Sequence, residues 1–155
     1  MDKLGKNICN NIKIAAIAAT VPSKFISTDS LKPELGEETI EKFKKMTGIL
    51  GHHSAIHEQT ASDLCFAAAE EIIKKRNISR EDIGALVFVT QNPDYNSPAT
   101  ACVLHYRLGL SKHCIAFDVN LGCSGYVNGI NLAASLMSTS DMKYALLLAG
   151  DTCAK

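Results

Sequence analysis

The sequence predicts an α/β fold, a parallel or mixed sheet flanked by helices, on three observations. Short apolar runs of strand length recur: "ALVFVT" (85–90), "CIAFDV" (114–119) and "KYALLLAG" (143–150). Between them lie longer stretches with helical spacing, of which "TASDLCFAAAEEIIKKRN" (60–77) is the clearest. The two kinds of segment alternate, and strands separated by helices pair in parallel through crossovers.

Each element has its own reason. Residues 12–21, "IKIAAIAATV", read as a buried strand stopped by Pro22. "STDSLKPELG" (27–36) breaks the chain at Pro33 and Gly36. A helix follows over 37–46, with Ile40, Phe43 and Met46 at helical spacing and Gly48 ending it. Residues 49–59 are polar, with three histidines, and predict a loop or a short edge strand. In the 60–77 helix, Thr60 and Asp63 form a capping-box-like pair and Leu64, Ala67, Ala68 and Ile72 supply an apolar face. "SREDIG" is a helical turn leading into 85–90. "QNPDYNSP" is a turn-rich loop, with Ser97 as N-cap and Pro98 at the first position of a helix running to Leu108. After 114–119 comes a glycine-flanked turn and a helix to about residue 138, then the last strand.

Composition narrows the function classes. With 46% apolar and 21% charged residues the chain is globular, and its 155 residues suit one compact domain. Sixteen basic and sixteen acidic residues cancel, so no field favours nucleic acid or an anionic membrane. No stretch approaches a membrane span, and the N-terminal apolar run is too short and weak for a signal peptide. Six cysteines without a C-x-x-C, several inside apolar runs, indicate a reduced, cytoplasmic protein. His52, His53 and His57 have no spacing that suits a metal site. His105 and His113 are the other histidines, and nothing in the sequence pairs either with a cysteine.

"FDVNLGCSGYVNGI" (117–130) carries the most chemistry. Cys123 sits where a strand turns into a helix, beside unsatisfied N–H groups and the positive end of the helix dipole. Both favour the thiolate, the nucleophilic form of cysteine, and the same N–H groups can hold an oxyanion. Gly122 and Gly125 would keep side chains out of a substrate's way and permit a tight turn. The competing reading is an inert cysteine in a glycine-lined turn. A hydrolase elbow, a dinucleotide fingerprint and a Walker loop all require glycine spacings that this stretch lacks.

Taken together, "MTGILGHH" (46–53), "TASDLCFAAAEEII" (60–73), "SPATACVLHYRLGL" (97–110), "CIAFDVNLGCSGYVNGI" (114–130) and "KYALLLAGD" (143–151) resemble the N-terminal half of β-ketoacyl-acyl carrier protein synthase III, a thiolase-superfamily condensing enzyme. The resemblance implies a thiolase-like layered fold, with residues 1–155 as one N-terminal half-domain. It places Cys123 at the family's active-site cysteine. An acyl thioester would acylate Cys123, and a carbanion from a decarboxylating malonyl thioester would then attack the acyl group. The implied partners are acyl carrier protein or coenzyme A thioesters, in a homodimer, with no metal and no redox cofactor. The loop holding Gln91 and Ser97 would bind substrate. Family members draw a histidine and an asparagine from their C-terminal half, so this chain alone is expected not to complete the condensation.

Where fatty-acid-initiating members place a tryptophan and an arginine around the "TG" loop, this sequence has Lys42 and Met46, and Leu50 replaces a further arginine. These changes disfavour a coenzyme A-bound primer and favour a carrier-protein-bound or unusual acyl donor, and the small Ser97 favours a roomier acyl pocket or a bulkier, polar acceptor. Two alternatives stand beside condensation: a superfamily acyltransferase without decarboxylation, and a non-catalytic half-domain that serves as an interaction subunit.

Overall fold

The computed structural model describes residues 11–153, and Cys9 lies outside them. The chain forms two compact units. One contains Ala61–Asp151 together with the segment up to Thr20, and the other contains Val21–Thr60.

The 21–60 unit is built on two short antiparallel strands, β1 (Lys24–Ser27) and β2 (Gly51–Ser54), in register from Lys24 opposite Ser54 to Ser27 opposite Gly51. Gly51 is required here, because a side chain at that position would run into the Phe25 ring. A 3-10 turn over Thr28–Leu31 leads to the one-turn helix α1 (Lys32–Leu35). Pro33, expected to break the chain, instead lies in the first turn of α1, where its missing N–H costs no intrahelical bond. Helix α2 (Glu37–Thr47) ends as the sequence predicts, on Gly48 at φ 72° in the left-handed region.

In the 61–151 unit, β3 (Ile83–Val89) is the middle strand of a parallel three-stranded sheet, flanked by β4 (Ile115–Val119) and β5 (Tyr144–Ala149). Val89 lies opposite both Val119 and Ala149, so all three strands finish at one level. Helices α3 (Ala61–Lys75) and α4 (Thr100–Arg107) contribute Cys65, Ala69, Ile73, Ala101 and Leu104 to a core with Leu86, Phe88, Leu146 and Leu148. On the opposite face, α5 (Gly125–Ser138) lies on Val89 and Leu147. This is the period-two alternation of a strand buried on both sides.

Three expectations are corrected. Residues 12–21 form no strand, and Ile14, Ile17 and Val21 are 63%, 74% and 62% exposed. Apolar composition needs a ladder partner to become a strand, and none of the described strands pairs with this segment. The buried face of α3 is Ala61, Ser62, Cys65, Ala69 and Ile73, not the predicted Leu64, Ala67, Ala68 and Ile72. Ser97 is not the N-cap of α4; Ala99 is, and the capping oxygens come from Asp118. Among the described residues no helix is long and apolar enough to cross a membrane.

Candidate active site

The carboxyl ends of β3, β4 and β5 bring three chain segments together: Thr90–Asn92, Asn120–Ser124 and Gly150–Asp151. In open α/β sheets this is the end where ligands bind. Thr90 N donates to Val119 O at 3.2 Å and Gly150 N donates to Val89 O at 3.1 Å, so the ladder continues past the strands and ties the segments side by side.

Cys123 is exposed on the turn between β4 and α5. Gly125 N closes the turn by donating to Gly122 O at 2.7 Å. Ser124, the N-cap residue, makes no side-chain capping bond, and the first turn of α5 carries no acidic residue. The helix terminus beside the thiol is therefore left without a competing side-chain anion. The helix comes this close to the sheet because of two glycines. A β-carbon on Gly125 would stand 2.5 Å from Val89 Cγ1, and one on Gly129 would stand 2.6 Å from Leu147 Cδ1 and 2.9 Å from Val89 Cγ2.

The glycines thus serve the protein's own packing. Gly125 makes room for Val89. Gly122 makes room for Gln91, whose Nε2, Cδ and Oε1 lie 2.7, 3.0 and 3.2 Å from where a Gly122 β-carbon would be. Neither glycine has a positive φ among the described residues, so the turn does not need left-handed backbone there.

The structure therefore brings Gln91 against the Cys123 turn. Ser97 is exposed farther along the β3–α4 loop, and no hydrogen bond ties it to that turn. Lys42, Met46 and Leu50 all lie exposed in the 21–60 unit, Lys42 and Leu50 lining an open groove with Glu38, Glu41, Lys44 and Lys45. His105 Nε2 is 2.9 Å from Ser111 O, near the start of β4, and His113 lies in the turn just before that strand. Both belong to the end of the strand opposite Cys123. His53 Nδ1 is 2.6 Å from Pro22 O. Among the described residues no cluster of histidine, cysteine, aspartate or glutamate could hold a metal ion.

Cys65, Cys102, Cys114 and Cys123 are free thiols. Burial pushes the Cys65 thiol up to about 12, with the Asp151 and Asp94 carboxylates adding to the effect, and it pushes Cys114 up to about 11. These two are the inert, small-hydrophobe cysteines.

Two carboxylates that the sequence reading passed over organise the site's surroundings. Asp118, on β4, accepts from Thr100 N and Ala101 N, each at 2.7 Å, and so starts α4 from a neighbouring strand. Asp151 Oδ1 accepts from Thr90 Oγ1 at 2.7 Å, Gln91 N at 2.8 Å and Asn92 N at 3.2 Å. The signal was present: an acid at the end of an apolar strand, as in "CIAFDV" and "LLLAGD", needs donors to hold it. The β3–α4 loop is pinned again farther on, where Ser62 Oγ donates to Asp94 Oδ2 at 2.5 Å and Asp94 N donates to Thr100 Oγ1 at 3.0 Å.

Comparison with known proteins places the fold. The chain is 36% identical over 146 residues to a putative 3-oxoacyl-[acyl-carrier-protein] synthase 3 of Campylobacter jejuni, covering 92% of this chain and 41% of that one. A 3-oxoacyl-(acyl-carrier protein) synthase crystal structure from Burkholderia xenovorans superposes with a TM-score of 0.82 at 37% identity, over 88% of this chain and 40% of that one. An acyl-CoA:acyl-CoA alkyltransferase of Xanthomonas campestris is 30% identical over 149 residues, covering 92% of this chain and 44% of the relative. The chain thus spans about two fifths of the length of the relatives it matches and shares the layered α/β fold of the synthase structure. Residues 6–155 match the family model described as FAE1/Type III polyketide synthase-like protein, and the chain belongs to that family.

Proposed function

We propose that this chain carries the nucleophile of a condensing enzyme of the β-ketoacyl-acyl carrier protein synthase III type. The observation that supports this best is the exposed Cys123 at an uncapped helix N-terminus, over the carboxyl ends of three parallel strands. Cys123 Sγ attacks the carbonyl of an acyl thioester. A new S–C bond forms as the donor's C–S bond breaks, and the donor leaves as a thiol with the proton from Cys123. The helix N–H groups offset the oxyanion that forms on the way. In the second half-reaction a malonyl thioester loses carbon dioxide. The resulting carbanion takes the acyl group, and Cys123 leaves as a thiolate.

The donor and acceptor belong to the chemistry of acyl carrier protein thioesters, in keeping with the similar synthases' names, and of coenzyme A thioesters, in keeping with the alkyltransferase's name. Neither step calls for a metal or a redox cofactor, since the thioester activates both carbons. The likeness to an acyl-CoA:acyl-CoA alkyltransferase favours a second reading in which two coenzyme A thioesters are joined. In the 61–151 unit no histidine stands at the Cys123 end of the sheet, so the first half-reaction is the part these residues carry. Incubating the chain with acyl-coenzyme A and, separately, acyl-carrier protein tests the proposal by intact mass. One acyl group on Cys123, absent in Cys123→Ser, is expected. A chain that stays unmodified with every donor would overturn it.

A further inference from the structure

We infer that Asp151 is a positioning residue for the Cys123 turn and acts through Gln91. The inference deepens the reading of Cys123 as the nucleophile and rests on it. The route is short and continuous. The carboxylate of Asp151 gathers three donors from consecutive residues: the Thr90 hydroxyl and the Gln91 and Asn92 amides. Consecutive donors wrapped around one anionic oxygen fix a backbone more firmly than a single bond does. Thr90 Oγ1 also accepts from Asn92 N at 3.1 Å, which closes the first turn of the loop on itself.

With its backbone held there, Gln91 presents its side-chain amide to Gly122, and all three terminal atoms lie within 3.2 Å of where a β-carbon would be. Gly122 O is the acceptor that closes the turn, and Cys123 is the next residue. Gln91 thus lies against the turn at the residue before Cys123, and Gly125 packs the start of α5 against Val89. Loss of Asp151 frees the loop, withdraws the backing amide and lets the turn relax away from the helix terminus that activates the sulfur.

The experiment measures the rate of Cys123 alkylation by iodoacetamide in the folded 155-residue chain, read peptide by peptide. Gln91→Ala and Asp151→Ala are each expected to slow Cys123 by about fivefold, the scale on which sub-ångström misplacement acts. Because both act along one path, the double variant should be no slower than either single one. Asp151→Asn, which keeps an acceptor oxygen, should recover part of the rate. Gly122→Ala should also slow Cys123, and by less when Gln91→Ala has removed the amide it collides with. Alkylation of Cys123 at the wild-type rate in Asp151→Ala overturns the inference, as does a double variant whose losses multiply. If Asp151→Ala does not fold, Thr90→Val decides: it removes one donor with little change of shape, and a wild-type rate there is equally fatal. Failure of the nucleophile reading looks different, since Cys123 would then alkylate with this same pattern yet take no acyl group from a thioester.

Discussion

On β3, Ala85, Leu86, Val87 and Phe88 are fully enclosed, whereas in the whole 21–60 unit only Thr28, Ile40, Ser54 and Ala55 are buried. The smaller unit compensates with charge. Lys32 pairs with Asp29, Glu37 and Glu41, and Lys44 pairs with Asp29 and Glu41, all on the surface. One region is held by dry packing between sheet and helices, the other by a short hairpin, a glycine-capped helix and a solvated ion network. The difference bears on the proposed nucleophile, because the Cys123 turn stands on the densely packed 61–151 unit.

The comparison can be broken most forcefully at its centre. Phe88→Ala removes a fully buried ring from the core and is expected to cost about 3–5 kcal/mol, measured by urea unfolding. Gly129→Ala pushes a methyl into Leu147 and Val89 and should cost about 1–3 kcal/mol. It should also disturb Cys123 reactivity, because α5 must then move off the sheet.

The two units should also respond to opposite ends of the pH scale. The folded Cys65 thiol, at about 12 against its ordinary 9.0, resists ionisation. Its contribution is complete below the ordinary thiol value and is lost as pH rises towards 12. At pH 10 the loss is about 1 kcal/mol, readable as a lower urea midpoint. In the 21–60 unit, hydrogen bonds from Lys44 and then Lys32 hold the Asp29 and Glu41 carboxyls below the usual carboxylate range. Their contribution is complete above that range and is lost as pH falls through the lowered values. This effect is the smallest, and it should shrink further in 1 M salt, because these charges are exposed. A 21–60 unit indifferent to both acid and salt would remove the contrast.

Legibility in the sequence followed the same division. The strands of the 61–151 sheet and the Gly48 stop could be read because a local pattern determined them. Other features depended on partners distant in sequence. The face of α3 was misplaced because apolar residues occur almost all the way around it, and what fixes the rotation includes the bond from Ser62 to Asp94. Ser97 was a sound local cap, outcompeted by a carboxylate on β4. The Cys123 turn could be read because a glycine-flanked cysteine between a strand and a helix has a local signature. Asp151, sixty residues from Gln91 in sequence, has none.

The parallel register also sets an order of events during synthesis. β3 meets β4 across about thirty residues of chain and β5 across about sixty, and pairings of such separation form slowly. A nascent chain exposes Cys123 before β5 and the Asp151 that follows it have left the ribosome. On the inferred route through Asp151, the Cys123 turn has no support until that strand docks. Its reactivity would then arrive late and abruptly, making alkylation of Cys123 a timer for completion of the sheet.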